Sequence, residues 1–508
     1  MAGGQLLLGV DIGTYSAKAV LATPEGEVLA EAEHEHGLDL PRPGWAEHDP
    51  ETIWWGQFVR LTRALLADSG RPGADVGAVA VSAIGPCLVP VDGHGRALRP
   101  GILYGIDTRA TAEIAELVER HGAEEMAGLG GSLLTSQAVG PKLLWLRRHE
   151  PETFRAAAAF HSASDYVVLR LTGEHVMDAY TASLYDPLFD IEALAWSDRF
   201  AEGIVELDRL PPVRHATEVA GRVTDTAARE TGLAAGTEVT VGTVDVVAEA
   251  VGVGTVRPGD LMCMYGTTAF FVLATERLVR HPAMWGVRHA FPGLYGVAAG
   301  MATSGALTRW FRDELARDLD PAGAYAALAK EAEQIPPGSL GLVVLPYFSG
   351  ERTPIDDPDA RGLVCGLTLA HSRAHLYRAV LEGTAYGMAH NLAVMREAGG
   401  RPARIVAVGG GARNPTWLQI VSDVSGVVQE LPVRTTGAPY GDAFLAGWAT
   451  GAVGSLDELH ERWARIARTI EPDPARHELY RDYFDVYRAL YEQTAAQQHA
   501  LAELARRG

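Results

Sequence analysis

The sequence predicts an α/β protein made of two related domains, and two observations support this prediction. Short apolar strands alternate with amphipathic helices along most of the chain, as in α/β folds. In addition, GVDIGTYSAKAVLAT at residues 9–23 is echoed by MCMYGTTAFFVLAT at 262–275, and both read as strand, Gly-Thr turn and strand. The second copy begins near mid-chain, where a duplicated domain would begin. We therefore expect domains at 1–254 and 255–508.

The predicted elements begin with a three-stranded meander and then alternate. Apolar runs bounded by turn residues indicate strands, and apolar residues at helical spacing indicate helices. The predicted strands are 6–10, 16–23, 26–33, 76–82 and 88–91. The predicted helices are 51–67, 108–121, 137–149 and, near the C-terminal end, 484–506. The stretch VGVGTVRPGD at 251–260 supplies the Gly and Pro of a domain boundary, with a hinge expected at 252–259.

Composition narrows the function classes. The 508 residues include 44 basic and 64 acidic side chains, for a net charge of −20, which argues against nucleic-acid or anionic-membrane partners. Cys87, Cys263 and Cys365 are widely spaced and predict no disulfide framework. No run reaches the roughly 18 apolar residues of a membrane helix, and the opening MAGGQLLLGVD lacks the basic region of a signal peptide. We expect a cytoplasmic protein, for which a homodimer would be ordinary.

Asp11 ends the first strand and is followed by a Gly13-Thr14 turn. Such a turn offers backbone N–H groups and a hydroxyl, which together can cradle a phosphate. An acid beside bound phosphates is repelled unless a cation lies between them, so Asp11 indicates Mg²⁺, a cation that prefers carboxylate and phosphate oxygens. The alternative is an ordinary β-turn with a capping Asp.

Asp245 is the second notable acid. In GTVDVVAEAVGVG at 242–254, an apolar strand leads into Asp245, and a helix of small residues follows. An aspartate among valines is costly to bury unless it has a function. The stretch MYGTTAF at 264–270 then supplies a second Gly-Thr turn. Two such turns, one from each domain, could hold the phosphates of one nucleotide.

Seven longer segments resemble the FGGY family of carbohydrate kinases, a branch of the actin/Hsp70/sugar-kinase superfamily. They occur in the family's order and, with the two turns, extend from residue 6 to residue 451. Segment 362–383 fits the second FGGY signature at each constrained position, from Gly362 to Glu382. The segments are PRPGWAEHDPETIWW (41–55), GILYGIDTRA (101–110), VGPKLLWLRRH (139–149), MATSGALTRWF (301–311), GLVCGLTLAHSRAHLYRAVLEG (362–383), AVGGGARNPTWLQIVSD (407–423) and YGDAFLAGWATG (440–451).

The resemblance implies two duplicated ribonuclease-H-like domains with an ATP and sugar cleft between them, and a kinase that uses ATP and Mg²⁺. Asp245 matches the family's catalytic base, and Asp11 would hold Mg²⁺ directly or through water. Lys18 would add positive charge at the phosphates, although it also fits a solvated strand position. The helix at 440–451 would be structural. The implied nucleotide-binding residues are Gly13, Thr14, Lys18, Gly266, Thr267, Thr268, Gly305, Arg309, Gly410, Gly411 and Asn414.

The implied acceptor is a small sugar with a primary hydroxyl, and D-xylulose is the first candidate. Asp107 matches an acid that hydrogen-bonds sugar hydroxyls, with Tyr104 at the family's Trp position; an ion pair with a nearby Arg is the alternative for this acid. Gly85-Pro86 and Val246 stand where relatives carry polar side chains. A buried hydroxyl left unpaired costs about 1–3 kcal/mol, so another ketopentose, a deoxy sugar or a polyol stays open.

Other functions have less support from the sequence. A non-catalytic sugar or nucleotide sensor on the same fold is disfavoured because Asp11 and Asp245 are both retained. A chaperone-like or actin-like ATPase is disfavoured by the segment at 41–55, called the PGW segment here, and by the second FGGY signature at 362–383. A dehydrogenase would depend on Gly409–Gly411 alone, and Asn414 stands where the third Gly of a dinucleotide loop would be.

Overall fold

The computed structural model describes residues 6–507 and divides into two compact units. The first five residues, part of the stretch on which the expectation about a signal peptide rested, lie outside the described residues. Unit 1 contains the chain up to Val256 together with Glu276–Gly296 and Thr436–Arg465. Unit 2 contains Arg257–Thr275, Val297–Thr435 and the chain from Ile466 onward. Because each compact unit is made of three separate chain segments, the units do not test the single boundary that we predict after residue 254. That boundary stays a prediction.

The strands are numbered here in chain order. They are β1 Leu6–Ile12, β2 Ser16–Ala22, β3 Val28–Glu35, β4 Glu47–His48, β5 Val76–Ala83, β6 Val89–Val91, β7 Gly101–Ile102, β8 Ala159–His161, β9 Met177–Asp178, β10 Phe189–Asp190, β11 Ala195–Trp196, β12 Val213–Arg214, β13 Val219–Arg222, β14 Glu238–Thr240, β15 Thr243–Val244, β16 Asp260–Tyr265, β17 Ala269–Thr275, β18 Trp285–Arg288, β19 Tyr295–Met301, β20 Val343–Leu345, β21 Leu363–Cys365, β22 Arg404–Val408, β23 Val428–Pro432 and β24 Ile466–Ile470.

The helices follow the same convention. They are α1 Gly56–Ser69, α2 Thr111–His121, α3 Ala123–Gly130, α4 Val139–His149, α5 Pro151–Ala156, α6 Ala163–Thr172, α7 Ala179–Ser183, α8 Asp225–Thr231, α9 Asp245–Gly252, α10 Gly305–Leu315, α11 Ala324–Glu333, α12 Arg373–Glu397, α13 Pro415–Ser425, α14 Ala438–Ala449, α15 Leu456–Glu458 and α16 Pro474–Arg507.

Unit 1 is built on a seven-stranded sheet with the order β13-β14-β5-β1-β2-β3, in which β15 also pairs with β5. Strand β1 runs antiparallel to β2 and parallel to β5. Leu8, Val10 and Ile12 of β1 are buried in the core on one face of this sheet. The other face of β1 packs on α14, where a Cβ on Gly9 would overlap the carbonyl oxygen of Pro439. The predicted meander is confirmed as β1, β2 and β3.

The central strands of unit 2 repeat this arrangement. Strand β16 runs antiparallel to β17 and parallel to β22, β22 runs parallel to β23, and β23 runs antiparallel to β24. Each half of the sequence echo is therefore a hairpin whose first strand has a parallel neighbour on its other side. This shared pattern explains the sequence echo as a structural repeat.

All four predicted helices differ from the structure at their N-terminal ends, and for 108–121 and 137–149 the difference is only that α2 begins at Thr111 and α4 at Val139. The other two differ in a more informative way. The helix predicted at 51–67 is a π-helical turn at Pro50–Trp55 followed by α1, and Asp49 Oδ1 accepts hydrogen bonds from the N–H groups of Glu51 and Thr52 at 2.9 Å. The C-terminal helix begins at Pro474, ten residues before the predicted start. Asp473 caps it by accepting from two N–H groups, and Pro suits a first helical position.

The cysteines and helices agree with two expectations from composition. Cys87, Cys263 and Cys365 are free thiols, the first two buried and the third exposed. Across residues 6–507, no helix combines the length and the apolar character that crossing a membrane requires.

Candidate active site

Four polar residues lie side by side across the sheet of unit 1. Asp11 is opposite Ser82 of β5 on one side and Lys18 of β2 on the other, and Lys18 is opposite Glu33 of β3. Directly paired residues project from the same face of a sheet, so the four side chains form one row. Lys18 Nζ lies 3.4 Å from Glu33 Oε1, with both side chains about half exposed. This pairing favours the solvated strand position for Lys18, whose phosphate contact stays a prediction.

Asp11 is a nearly buried acid with other acids around it. Its Oδ1 accepts a hydrogen bond from the hydroxyl of Ser82 at 3.1 Å. Burial raises the pKa of Asp11 well above its usual range, and the charges of Asp245 and Asp442 raise it further. A cation bound beside these carboxyl groups would relieve their mutual repulsion.

The donor set around Asp11 fits Mg²⁺. Among the described residues, no three His, Cys, Asp or Glu side chains converge into a self-contained metal site. Mg²⁺ does not need one, because it keeps several waters and binds proteins through one or two carboxylates plus substrate phosphates. Asp11, a residue that is 9% exposed, supplies a hard carboxylate oxygen at a point where positive charge is favourable.

Asp245 is the first residue of α9, directly after β15. Its Oδ1 accepts a hydrogen bond from the N–H of Val246 at 2.7 Å, and the side chain is only partly buried. Burial raises the pKa of Asp245 to about 6. The charge of Asp245 raises the pKa of Asp11. The two acids that the sequence singled out therefore lie near each other in unit 1.

Glu249 lies one helical turn after Asp245, so the two side chains share a face of α9. Burial raises the pKa of Glu249 to about 7, with a further contribution from the charge of Asp245 and an opposing one from Lys18. Sequence reasoning missed Glu249. Its spacing of four residues from Asp245 is the signal that could have found it.

Asp442 is the second acid that sequence reasoning missed. It lies in α14, to which we assigned a structural role, and it is fully buried. Its Oδ2 accepts from the Ser82 hydroxyl at 2.7 Å, whereas its Oδ1 has no hydrogen-bond partner within the described chain. Helix α14 crosses α9 so closely that a Cβ on Gly441 would overlap the carbonyl oxygen of Ala248. An acid in an otherwise apolar helix was the available signal.

The first Gly-Thr turn is held from two directions. The N–H of Gly13 donates to the carbonyl oxygen of Ser16 at 2.9 Å, which closes the turn. The Thr14 hydroxyl lies 3.2 Å from the Tyr104 hydroxyl, and the carbonyl oxygen of Thr14 lies 3.1 Å from His48 Nε2. The PGW segment, which contains His48, therefore supports the turn directly, a role that sequence reasoning did not assign.

The second Gly-Thr turn, in unit 2, is joined to the start of α10. The N–H of Gly266 donates to the carbonyl oxygen of Thr268, and the N–H of Gly305 donates to the carbonyl oxygen of Gly266 at 2.9 Å. A Cβ on Gly305 would lie 2.5 Å from that oxygen, which agrees with the close approach expected at this glycine. Thr267, Thr268 and, one turn along α10, Arg309 are exposed.

A further segment of unit 2, Gly350–Pro354, fixes the backbone that leads into α10. Glu351 Oε1 accepts from the N–H of Ala302 at 2.6 Å, and Thr353 Oγ1 accepts from the N–H of Gly300 at 2.8 Å. Sequence reasoning missed this segment, because its partners lie about fifty positions away in the chain.

The glycine loop after β22 is a turn followed by a capped helix. Gly409 has a φ of +86°, and a Cβ there would approach the carbonyl oxygen of Tyr265 within 2.9 Å. At Gly411 a Cβ would lie 2.7 Å from the Trp417 ring, whereas Gly410 is exposed and open. Asn414 Oδ1 caps α13 by accepting from the N–H of Trp417 at 3.1 Å. The nucleotide contacts of Gly410, Gly411 and Asn414 stay predictions.

The segment around Asp107 is tied into the interior of unit 1. Asp107 is fully buried, its Oδ2 accepts from the N–H of Ala46 at 2.7 Å, and the Arg109 guanidinium binds both of its oxygens. This geometry corresponds to the ion-pair alternative, and no carboxyl oxygen is left open to a sugar. Two residues separate Tyr104 from Asp107, one more than in the family pattern.

The remaining predicted sugar-site residues lie close to Asp245 along the chain or in space. A Cβ on Gly85 would overlap the Val244 side chain, one residue before Asp245. Gly85 is followed by Pro86 in a turn after β5, and Val246 is partly exposed on α9. None of these three positions offers a polar side chain.

Comparisons with known proteins show what this chain is similar to. Residues 6–252 match the N-terminal domain of the FGGY family of carbohydrate kinases, and residues 261–450 match its C-terminal domain. A xylulose kinase of Escherichia coli K12 is 32% identical over 96% of this chain and 99% of its own length. An autoinducer-2 kinase of the same strain is 31% identical over 96% of this chain and 94% of its own length. The crystal structure of xylulose kinase from Rhodospirillum rubrum superposes with a TM-score of 0.92 at 33% identity, covering 97% and 100% of the two chains.

Proposed function

Since this chain belongs to the FGGY family of carbohydrate kinases, we propose that it transfers the γ-phosphoryl group of ATP to a primary hydroxyl of D-xylulose, giving D-xylulose 5-phosphate. Its activity as a sugar kinase follows from the family, whereas the acceptor is our inference. Similarity to xylulose kinases over nearly the whole chain supports this acceptor.

The observation that carries the proposal is the position of Asp245 at the start of α9, beside the Asp11 strand. Its Oδ1 is held by the N–H of Val246, while the structure gives its Oδ2 no hydrogen bond within residues 6–507. A pKa raised to about 6 makes Asp245 a stronger base than an exposed aspartate, yet leaves it ionised at neutral pH. Asp245 would accept the proton of the sugar hydroxyl as that oxygen attacks phosphorus.

Asp11 would hold Mg²⁺ by one carboxylate oxygen, directly or through a water. Bound Mg²⁺ would neutralise the charge of the phosphates during transfer. The Ser82 hydroxyl, 3.1 Å from Asp11 Oδ1, would keep that carboxylate in one orientation. Pre-set orientation matters because phosphoryl transfer depends mainly on positioning and charge stabilisation.

The two Gly-Thr turns would each contribute phosphate contacts. In unit 1, His48 and Tyr104 hold Thr14 by its carbonyl and its hydroxyl. In unit 2, the turn at Gly266 is fixed to the start of α10, and the side chains of Thr267 and Thr268 are exposed. Turns of this kind present backbone N–H groups that suit anionic oxygens.

A second class of acceptor is supported by the shortage of polar side chains near Asp245. Gly85, Pro86 and Val246 offer no side-chain hydrogen bonds, and Asp107 is occupied by Arg109. The identity to an autoinducer-2 kinase nearly equals that to the xylulose kinase of the same strain. A deoxy sugar, another ketopentose or a polyol is therefore the alternative acceptor.

The proposal is tested by measuring ADP release from MgATP with a panel of acceptors. The panel contains D-xylulose, D-ribulose, a deoxy ketose, xylitol, glycerol and autoinducer-2, each compared with a blank that lacks acceptor. We expect D-xylulose to give a kcat/KM at least tenfold above that of any other acceptor. A higher value for another acceptor would reassign the substrate, and no stimulation by any of them would contradict the proposal.

A further inference from the structure

Tyr180 is a buried tyrosine of unit 1 that lies near Asp245. It belongs to α7 and is 4% exposed, and its ring is part of the apolar cluster that contains Val244 and Val247. These two valines flank Asp245 along the chain. Burial raises the pKa of Tyr180, and the negative charge of Asp245 raises it further. The phenol is therefore protonated at neutral pH and lies within electrostatic reach of the proposed base.

One aspartate joins the start of α7 to the strand that precedes Asp245. Asp178 Oδ2 accepts a hydrogen bond from the N–H of Tyr180 at 2.9 Å and another from the hydroxyl of Thr243 at 3.1 Å. Thr243 is the first residue of β15, and Asp245 directly follows this strand. The same carboxyl oxygen thus fixes the backbone of Tyr180 relative to the strand that positions the base.

The C-terminal end of α7 is held as well. Ser183 Oγ donates to the carbonyl oxygen of Ala179 at 2.7 Å and accepts from the N–H of Arg288 at 3.0 Å. The Arg288 guanidinium in turn donates to the carbonyl oxygens of Ile191 and Glu192. Because α7 is fixed at both ends, its side chains are positioned before any ligand binds, as a binding site requires.

The hydroxyl group is the part of Tyr180 that the fold leaves open. A phenolic hydroxyl can donate one hydrogen bond and accept others, and a buried tyrosine usually has a partner for it. Within residues 6–507 the structure gives Tyr180 Oη no hydrogen bond, and this oxygen is not among the unpaired polar atoms that are sealed from solvent. Tyr180 therefore buries its ring and presents a free hydroxyl to solvent near Asp245.

We propose that Tyr180 is a substrate-binding residue whose hydroxyl donates a hydrogen bond to an oxygen of the acceptor sugar. This oxygen is not the one that attacks phosphorus, because Asp245 accepts the proton of the attacking hydroxyl. Tyr180 thus supplies a hydrogen bond where Gly85, Pro86 and Val246 offer none. The inference rests on the proposed function, and it requires an acceptor that carries a further hydroxyl or carbonyl oxygen.

The test is Tyr180→Phe, which removes only the hydroxyl oxygen and keeps the packed ring. We expect the KM for the preferred acceptor of the panel to rise about tenfold, because one acceptor oxygen loses its partner. The value of kcat and the affinity for MgADP should stay within about twofold. The melting temperature should not fall, since the hydroxyl has no partner in the protein. A purely structural Tyr180 would leave the acceptor KM unchanged.

Acceptors that lack one oxygen identify the atom that Tyr180 binds. Monodeoxy analogues of the preferred acceptor are compared in the parent protein and in Tyr180→Phe. For one analogue we expect the two losses not to add, so that Tyr180→Phe changes its KM by no more than about twofold. Tyr386→Phe in unit 2 is the matched control, since it also removes a buried tyrosine's unpaired hydroxyl. It should leave every acceptor KM unchanged.

Three results would overturn the inference. They are an acceptor KM for Tyr180→Phe within twofold of the parent value, a tenfold rise that is the same with every deoxy analogue, and an equally large loss of MgADP affinity.

Calorimetric titration of the panel sugars in the presence of MgADP separates this inference from the proposed function. Weaker sugar binding by Tyr180→Phe, in a protein that turns over no acceptor, would reject the proposed function and keep the role of Tyr180. Turnover with an unchanged acceptor KM in Tyr180→Phe would do the reverse. If no sugar of the panel binds the parent protein, both are rejected.

Discussion

His48 Nε2 donates a hydrogen bond to the carbonyl oxygen of Thr14, at 3.1 Å. The direction is fixed by the other ring nitrogen, because Nδ1 lies 3.3 Å from the indole N–H of Trp54, which can only donate. His48 is therefore neutral with its proton on Nε2. Burial lowers its pKa to about 4, so this direction holds across the physiological pH range.

Loss of this hydrogen bond should weaken nucleotide binding more than it weakens the fold. In His48→Ala we expect the KM for MgATP to rise about fivefold and the free energy of unfolding to fall by about 1–2 kcal/mol, since a buried carbonyl loses its donor. His48→Gln keeps an amide N–H and should recover most of the affinity. Steady-state kinetics and urea unfolding check this, and an unchanged KM in His48→Ala would show that Thr14 does not depend on His48.

A methyl group at Gly305 should disturb the second Gly-Thr turn. A Cβ there would lie 2.5 Å from the carbonyl oxygen of Gly266, so Gly305→Ala must shift the turn or the start of α10. We expect at least a tenfold loss of ADP affinity by calorimetry. The matched control is Gly323→Ala in the same unit, where no atom lies within 4 Å of the new Cβ. Equal affinity of the two variants would remove this turn from the nucleotide site.

Asp107 should matter for stability more than for sugar binding. It is buried with Arg109, and Asp107→Asn would leave that guanidinium with less compensating charge. We expect a loss of about 3 kcal/mol in the free energy of unfolding, and a KM for the acceptor that stays within about twofold. Full stability with a strongly raised acceptor KM would restore the sugar contact expected from the sequence.

Glu249 should make stability decrease as the pH rises. Its pKa is raised to about 7 in the folded protein, above its ordinary 4.5, so the folded state holds this proton more tightly than the unfolded chain does. The stabilising effect is complete below about pH 4.5 and is lost as the pH rises through 7. Glu249→Gln should therefore be more stable than the parent by on the order of 1–2 kcal/mol at pH 8, with the difference disappearing near pH 5.

Thermal unfolding at both pH values without Mg²⁺ checks this prediction. Glu492→Gln, an exposed acid on α16, is the control and should show no such pH dependence. A Glu249→Gln protein that is less stable than the parent at pH 8 would mean that the Glu249 carboxylate makes favourable contacts.

The sequence predicted the features that depend on neighbouring residues. The Gly-Thr hairpins of β1–β2 and β16–β17 were found because strand, turn and strand are contiguous. The Asp473-Pro474 pair also indicates the early start of α16. The prediction began later because the apolar spacing that identifies helices is weaker in the first turns of α16. Local signals thus predicted the repeat of the fold and the approximate bounds of several elements before residue 150.

The contacts that organise the site could not be predicted, because they join distant positions. Ser82 lies 71 residues from Asp11 and 360 residues from Asp442. Asp107 shows the same limit, since its spacing suggested a sugar ligand whereas the fold surrounds it with Arg109 and the N–H of Ala46; its sugar contact stays a prediction. A polar residue identified in a sequence does not reveal whether the fold leaves its polar atoms open.

The most direct test of the account is the turnover of Asp245→Asn with D-xylulose and MgATP, measured with its affinity for MgADP. Without the base we expect kcat to fall at least about 100-fold, while MgADP affinity stays within about twofold. Asp482→Asn, an exposed acid on α16, controls for the substitution and should retain full activity. A kcat for Asp245→Asn within tenfold of the parent value would contradict the assignment of Asp245 as the base.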